Sequence, residues 1–132
     1  MRVVDSSFLI RLLRGHGDAV RKAEELDAAG GAATTVVSVF EVSYGVSRGL
    51  NDPVRRLGEL RRLLGNLEVL PLSIEASLKA SEICGVYVEA GRRIDPFDAL
   101  VAGVAVTCGA EALVTRNVQV FDLVSSLKVE GF

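Results

Sequence analysis

The sequence predicts an α/β fold, a single domain with a parallel-rich central sheet of about four to five strands and helices on both faces. Short apolar segments alternate with segments of helical periodicity along the whole chain, and this alternation favours parallel strands joined by helices. The length of 132 residues is that of one domain and is enough to bury a core. Because no repeat, linker or low-complexity tract interrupts the chain, we expect residues 1–132 to form one domain.

The segments predicted as strands are short, apolar and bounded by glycine or polar residues; they cover residues 3–5, 32–37, 67–72, 112–115 and 127–129. The intervening segments carry apolar residues at helical spacing. Ser38 is predicted to cap the helix that follows the second strand, and Ser73 the long helix that runs to about Glu89. Residues 118–124 fit a short helix, and 127–129 an edge strand.

The stretch IDPFDALVAGVAVTCG, residues 94–109, is the most informative segment of the chain. Asp95 followed by Pro96 is typical of an N-cap and a first helical position, which places Asp98 in the first turn. The rest of the helix is apolar and carries no charge before Glu111. Asp98 is therefore expected where water is scarce and no local cation pairs with it. The alternative is that Asp98 only complements the helix dipole.

Two further carboxylates lie at the ends of predicted elements. Asp5 follows the first strand, and in open α/β sheets the carboxyl ends of strands form the ligand crevice. Glu41 is the third residue after Ser38 and has no cation one turn away. Each has a structural alternative: Asp5 can be a helix N-cap, and Glu41 can complete an S-x-x-E capping box.

Composition limits the classes of function. The formal net charge of −2 gives no indication of a nucleic-acid partner by itself, and 49% of the residues are apolar. No run is long enough to span a membrane and no signal peptide is evident, so a cytoplasmic location is expected. His16 is the only histidine, and Cys84 and Cys108 lack the spacing of a zinc site.

Three clustered carboxylates repel one another, so a divalent cation is the expected neutralising group. Oxygen ligands without histidine or thiolate favour Mg²⁺ or Mn²⁺. Such an ion can activate water and bind substrate phosphates. The predicted metal site and catalytic centre therefore comprise Asp5, Glu41 and Asp98.

Residues beside this site complete the prediction. Asn117 follows the strand that ends at Thr115 and offers an amide oxygen as a fourth ligand, with Asp122 as the alternative. The arginines predicted to form a basic rim that contacts substrate phosphates are Arg92, Arg93 and Arg116, with Arg11 and Arg14 as further candidates. A solvated surface is the alternative for all of these arginines.

The chain resembles the PIN-domain ribonucleases, in particular the VapC toxins of VapBC toxin-antitoxin pairs. The similarity lies in VVDSSFLI, VSVFEVSYGV, DPFDALVAGVAV and TRNVQVFDLVSSLKVEGF, which together span the chain. It implies a homodimeric, Mg²⁺-dependent endoribonuclease with Asp5, Glu41 and Asp98 at the metal, inhibited by a VapB-like antitoxin. Many members carry an acid where this chain has Asn117, which bears on a second metal position.

Two other classes remain as alternatives. A phosphate-accepting receiver domain also gathers carboxylates around magnesium, but it needs an acidic pair after the first strand and a lysine after the last core strand. This chain has Asp5-Ser6 and Arg116-Asn117 at those places. The other alternative is a PIN-like domain that serves as a signalling or binding scaffold without nuclease activity.

Overall fold

Five short strands make up one central sheet. A computed structural model of the protein describes residues 1–49 and 51–132. The strands are β1 (Arg2–Val4), β2 (Ala32–Thr35), β3 (Glu68–Leu70), β4 (Ala112–Val114) and β5 (Val129–Glu130). They lie in the order β3-β2-β1-β4-β5 and all pair in parallel. The predicted α/β fold with a parallel sheet is confirmed.

Helices connect the strands and cover both faces of the sheet. They are α1 (Ser6–Leu13), α2 (Gly17–Ala28), α3 (Val36–Ser47), α4 (Pro53–Leu64), α5 (Ile74–Glu89), α6 (Pro96–Thr107) and a 3-10 helix, Val118–Phe121. Adjacent residues of β1 point to opposite faces. Val3 packs in a core cluster with residues of α5 and α6, and Val4 packs in another with residues of α1, α2 and α4.

The strand order places a crevice at one edge of the sheet. β1 is the central strand; β2 and β3 follow on one side of it, and the chain then crosses to the other side to form β4 and β5. In open parallel sheets the point where the order reverses is where ligands bind, outside the carboxyl ends of the strands. The order also differs from the 2-1-3-4-5 order of receiver-type sheets. Residues that follow β1 and β4 therefore face the same crevice.

Two predictions around the second strand were wrong. The strand ends at Thr35 rather than Val37, and Val36 and Val37 form the first turn of α3. The hydroxyl of Thr35 accepts a hydrogen bond from the Ser38 amide at 3.0 Å and caps the helix. Ser38 itself is buried within the first turn, so it is not the N-cap. Because the Thr35 hydroxyl satisfies a free amide of the first turn, α3 begins about one turn earlier than the valine-rich sequence indicates.

The end of the chain also differs from expectation. The edge strand is Val129–Glu130 rather than 127–129, and Leu127 is buried in the core. The helix predicted for 118–124 is limited to Val118–Phe121. Tyr87 explains this limit, because its hydroxyl donates a hydrogen bond to the Val120 carbonyl at 2.6 Å and accepts one from the Leu123 amide at 3.3 Å. These bonds satisfy backbone groups that a continuing helix would use itself.

Other local predictions agree with the structure. Asp95 caps α6 through a hydrogen bond from the Phe97 amide at 2.8 Å, with Pro96 at the first position. Ser73 caps α5. In the part of the chain that the structure describes, no helix has the length and apolar character needed to cross a membrane.

Candidate active site

The three predicted carboxylates come from three different elements. Asp5 is the residue immediately after β1, Glu41 lies in the second turn of α3, and Asp98 is the third residue of α6. Asp5 is only 5% exposed, and the other two side chains are half-buried. The charges of Asp5 and Asp98 both act on Glu41, and the charge of Asp5 acts on Asp98. The fold thus brings together residues that are far apart in sequence.

Asp5 is held by hydroxyl groups from two elements. One carboxylate oxygen accepts hydrogen bonds from the Ser7 hydroxyl at 2.5 Å and the Phe8 amide at 3.1 Å. The other accepts a hydrogen bond from the Thr115 hydroxyl at 2.5 Å. Asp5 is therefore the N-cap of α1 as well as a residue of the crevice, since each carboxylate oxygen has two lone pairs. Burial raises the pKa of Asp5, and these hydrogen bonds oppose the rise.

Glu41 lies in surroundings that disfavour its charged form. Burial raises its pKa from 4.5 to about 7, and repulsion from Asp98 adds to the rise, followed by Asp5 and Asp95. The Ser6 hydroxyl acts in the opposite direction. Because Ser38 is not the N-cap, the capping-box explanation for Glu41 does not apply.

Asp98 has a similar environment. Burial raises its pKa from 3.8 to about 6, and the charges of Asp95 and Asp5 contribute further. Its position in the first turn still complements the dipole of α6, so the structural alternative and the site role coexist. Within the described residues, no ion pair involves Asp5, Glu41 or Asp98. A raised pKa without a cationic partner marks groups that gain from binding a cation.

The donor set fits a hard divalent cation. Carboxylate oxygens without a nearby thiolate or imidazole favour Mg²⁺ or Mn²⁺, and a cation would offset the repulsion that raises the pKa of Glu41. In their present rotamers the side chains do not converge on one point: among residues 1–49 and 51–132, no three His, Cys, Asp or Glu residues are grouped tightly enough to hold an ion.

The backbone of Asn117 and the side chain of Asp5 both form a hydrogen bond with the Thr115 hydroxyl. The Asn117 amide donates to the Thr115 hydroxyl at 3.1 Å, and that hydroxyl donates to Asp5. The side chain of Asn117 is exposed and does not cap the 3-10 helix that follows it. Asp122, the alternative fourth residue, forms an ion pair with Arg92 at 3.0 Å on the surface. That ion pair lowers the pKa of Asp122 and gives it a structural partner.

The predicted arginines differ in how strongly they are engaged. Arg92 pairs with Asp122 and lies over the Tyr87 ring at 5.3 Å. Arg116 follows Thr115, but its guanidinium contacts Asp18 at 2.7 Å and the carbonyl of Phe132 at 2.6 Å.

Of the remaining predicted arginines, one is paired with an acid and two are exposed. Arg93 is exposed, and no hydrogen bond or ion pair to it occurs among the described side chains. Arg11 pairs with Asp18 at 2.8 Å, while Arg14 is exposed beside a surface groove. The arginines are therefore not one continuous free surface, because two of the three principal candidates are held by acidic or backbone partners.

Sequence reasoning did not identify the residues that orient Asp5. Ser7 donates to Asp5 and also accepts the backbone amide of Arg116 at 3.0 Å, so it ties α1 to the end of β4. Thr115 is fully buried at the carboxyl end of β4. The signal that could have identified Thr115 is its position, a hydroxyl residue directly after a core strand. Asp95 was read only as a cap, although its charge also raises the pKa of Asp98.

Comparisons with known proteins identify the family of the chain. The family model for the PIN domain matches residues 2–125. The tRNA(fMet)-specific endonuclease VapC of Shigella flexneri is 26% identical over 130 residues, which cover 98% of this chain and 96% of that protein.

Solved structures of VapBC proteins share the fold of this chain. VapBC2 of Rickettsia felis, bound to a DNA fragment from its promoter, superposes with a TM-score of 0.88 at 23% identity and covers 99% of this chain and 98% of that one. VapBC-5 of Mycobacterium tuberculosis, of the VapBC family of toxin-antitoxin systems, has a TM-score of 0.71 at 25% identity, covering 98% and 95%. The resemblance predicted from the sequence motifs is confirmed, and the chain belongs to the PIN domain family, a family of nucleases.

Proposed function

We propose that the chain is a divalent-metal-dependent endoribonuclease and the toxin of a VapBC-type toxin-antitoxin pair, acting on RNA in the cytoplasm. The observation that carries this proposal is that Asp5, Glu41 and Asp98 lie around one crevice, where their charges act on one another, their pKa values are raised and no described cation pairs with them. Membership of a nuclease family and similarity to a VapC endonuclease support the same reaction class.

Asp5, Glu41 and Asp98 would hold Mg²⁺ or Mn²⁺, and Asn117 would add a neutral amide oxygen. When bound, the ion would act as a Lewis acid, lowering the pKa of an attacking water and stabilising charge on the phosphodiester oxygens. The chain's own residues fix the geometry. Ser7 and Thr115 hold Asp5 in one orientation through short hydrogen bonds. Glu41 and Asp98 release their protons near neutral pH, which makes metal binding dependent on pH.

The positive groups nearest the crevice would position the RNA backbone. Arg93 forms no ion pair with the described side chains, whereas Arg92 and Arg116 are paired with Asp122 and Asp18. Contacts of this kind orient a phosphate chain without reading its sequence. The proposal therefore assigns cleavage to the carboxylates and general RNA affinity to the arginines.

The proposed partners are a VapB-like antitoxin and a second copy of this chain. Structural relatives solved as VapBC assemblies support the antitoxin, and the homodimer rests on the family resemblance. An adjacent gene for a short DNA-binding protein, whose product suppresses RNA cleavage by this chain, is the expected result for a toxin. Cleavage that no neighbouring product suppresses would favour a housekeeping nuclease.

The experiment that tests the enzymatic proposal uses the whole protein. Purified chain is incubated with mixed cellular RNA in EDTA, in Mg²⁺ and in Mn²⁺, and new RNA ends are mapped by sequencing. We expect new ends only with metal, at a limited set of positions. Metal binding detected by calorimetry together with an absence of new ends would instead support the scaffold alternative, in which the PIN fold binds without cleaving.

A further inference from the structure

Three aromatic rings and one arginine form a row on the surface, here called the aromatic row: Phe97, Phe40, Tyr44 and Arg48. The ring centroids of Phe97 and Phe40 are 5.8 Å apart, and those of Phe40 and Tyr44 are 5.9 Å apart with the planes 16° from parallel. The Arg48 guanidinium lies 5.1 Å from the centre of the Tyr44 ring. Each group therefore contacts the next in order.

The row is exposed although it is aromatic. Phe40 is 51% exposed, Tyr44 55% and Phe97 42%. Phe40 and Tyr44 on α3 and Arg48 at its C-cap recur every four residues, which places them in one stripe along that helix. Large apolar side chains that remain contiguous on a surface mark an interaction site more often than isolated ones do. The row is therefore a candidate for binding a ligand with flat apolar faces.

The row begins at the carboxylates. Phe97 precedes Asp98 on α6, and Phe40 precedes Glu41 on α3. The two helices that supply the half-buried acids thus also supply the first two rings, and Phe97 and Phe40 touch across them. From there the row runs outward along α3 to a positive charge at Arg48. A ligand lying on the row therefore extends from the helix positions next to Asp98 and Glu41 to a cation.

We propose that the aromatic row stacks unpaired bases of the RNA strand whose phosphodiester bond lies at the carboxylates. This inference rests on the proposed ribonuclease function and adds a positioning surface to it. Single-stranded nucleic acid is bound by aromatic faces that stack on bases and by cations that contact the backbone. The row offers rings at its centre and Arg48 at its outer end.

Charge favours RNA over a second copy of the chain as the occupant. A protein face pressed onto the row would take Glu41 and Asp98, or their close surroundings, further from water, and burying unpaired charge is costly. A single strand instead places only its bases on the rings and keeps its phosphates solvated. The guanidinium of Arg48 complements those phosphates.

Binding without cleavage tests this inference. The parent protein carries Asp98→Asn and is kept in EDTA, so RNA remains intact. Fluorescence anisotropy measures its affinity for a short single-stranded oligoadenylate and for an abasic strand of the same length, which has the phosphates but no bases. We expect Phe40→Leu to weaken oligoadenylate binding by about five- to a hundredfold and to leave abasic-strand binding unchanged. Phe40→Trp, which retains a flat ring, should bind oligoadenylate as the parent does.

Three results would overturn the inference. They are equal affinities of the parent and Phe40→Leu for oligoadenylate, equal losses for both strands, and dissociation of a dimer by Phe40→Leu in light scattering at the concentrations used. Thermal unfolding of each variant checks that the fold is retained. Failure of the ribonuclease proposal is seen separately, as an absence of metal-dependent RNA cleavage by the unmodified chain.

Discussion

Replacing Glu41 with glutamine should make the metal-free protein more stable at alkaline pH. The folded protein raises the pKa of this carboxyl group from 4.5 to about 7, mainly through burial. Between these pH values the folded chain keeps a proton that the unfolded chain releases, so the free energy of unfolding falls as pH rises through this window. Glutamine has nearly the same shape but does not titrate, so it removes this contribution.

The size of the effect follows from the pKa difference. At about 1.4 kcal/mol for each pKa unit, a carboxyl group fully shielded from solvent would lower the free energy of unfolding by about 3 kcal/mol at alkaline pH. Because Glu41 is half-buried, solvent screening reduces the expected gain to about 1 to 2 kcal/mol. For a chain of this length this corresponds to a rise in Tm of roughly 3 to 8 °C. The gain should be present at pH 8 and absent below about pH 4.5, where both states are protonated.

Thermal unfolding in EDTA at pH 4 and pH 8 measures this difference, with Glu24→Gln on the exposed surface of α2 as the matched control. Added Mn²⁺ should stabilise the unmodified protein at pH 8 and should stabilise Glu41→Gln much less, because one ligand charge is gone. Equal Tm values for Glu41→Gln and the unmodified protein at pH 8 in EDTA would refute the argument that burial of this carboxylate is unfavourable.

Three other predictions concern different parts of the molecule. Gly103→Ala should lower the free energy of unfolding by about 1 to 3 kcal/mol, because its Cβ would overlap the backbone of α5; Gly85→Ala, where a Cβ meets nothing within 4 Å, is the control in the same denaturant titration. Arg93→Gln should flatten the salt dependence of RNA binding more than Arg92→Gln does, since Arg92 is already paired; slopes that both equal the slope of the unmodified protein would assign the two arginines to solvated surface. Asn117→Asp should strengthen a second metal-binding step in a Mn²⁺ calorimetric titration, since it adds a charged oxygen ligand, and an unchanged titration would remove Asn117 from the site.

Local signals in the sequence were sufficient for much of the fold. Capping side chains and proline at the first helical position act within one turn, so the start of α6 at Asp95 and Pro96 was predicted correctly. The start of α3 was not, because valines suit both strands and helices and the Thr35 hydroxyl decided between them. The order of the strands was not predicted either. It depends on which helices pack on which face, and no local pattern encodes this.

The site shows the same division between local and distant information. Asp5 and Asp98 were identified from their positions at the ends of elements, which sequence patterns reveal. The hydroxyls of Ser7 and Thr115 come to Asp5 from opposite ends of the chain, so their shared role is visible only in the fold. The pairing of Arg92 with Asp122 likewise joins residues 30 positions apart. It reduces the positive surface that the sequence alone indicated.

Cleavage of RNA by two single-charge variants tests the central claim most directly. Asp98→Asn removes a proposed metal ligand, whereas Asp95→Asn removes a neighbouring charge but retains an oxygen that can cap α6. With Mn²⁺ at pH 8, we expect Asp98→Asn to lower the cleavage rate by on the order of a hundredfold and Asp95→Asn to keep most of it. Undiminished cleavage by Asp98→Asn, in a protein that remains folded, would contradict the assignment of the carboxylate site.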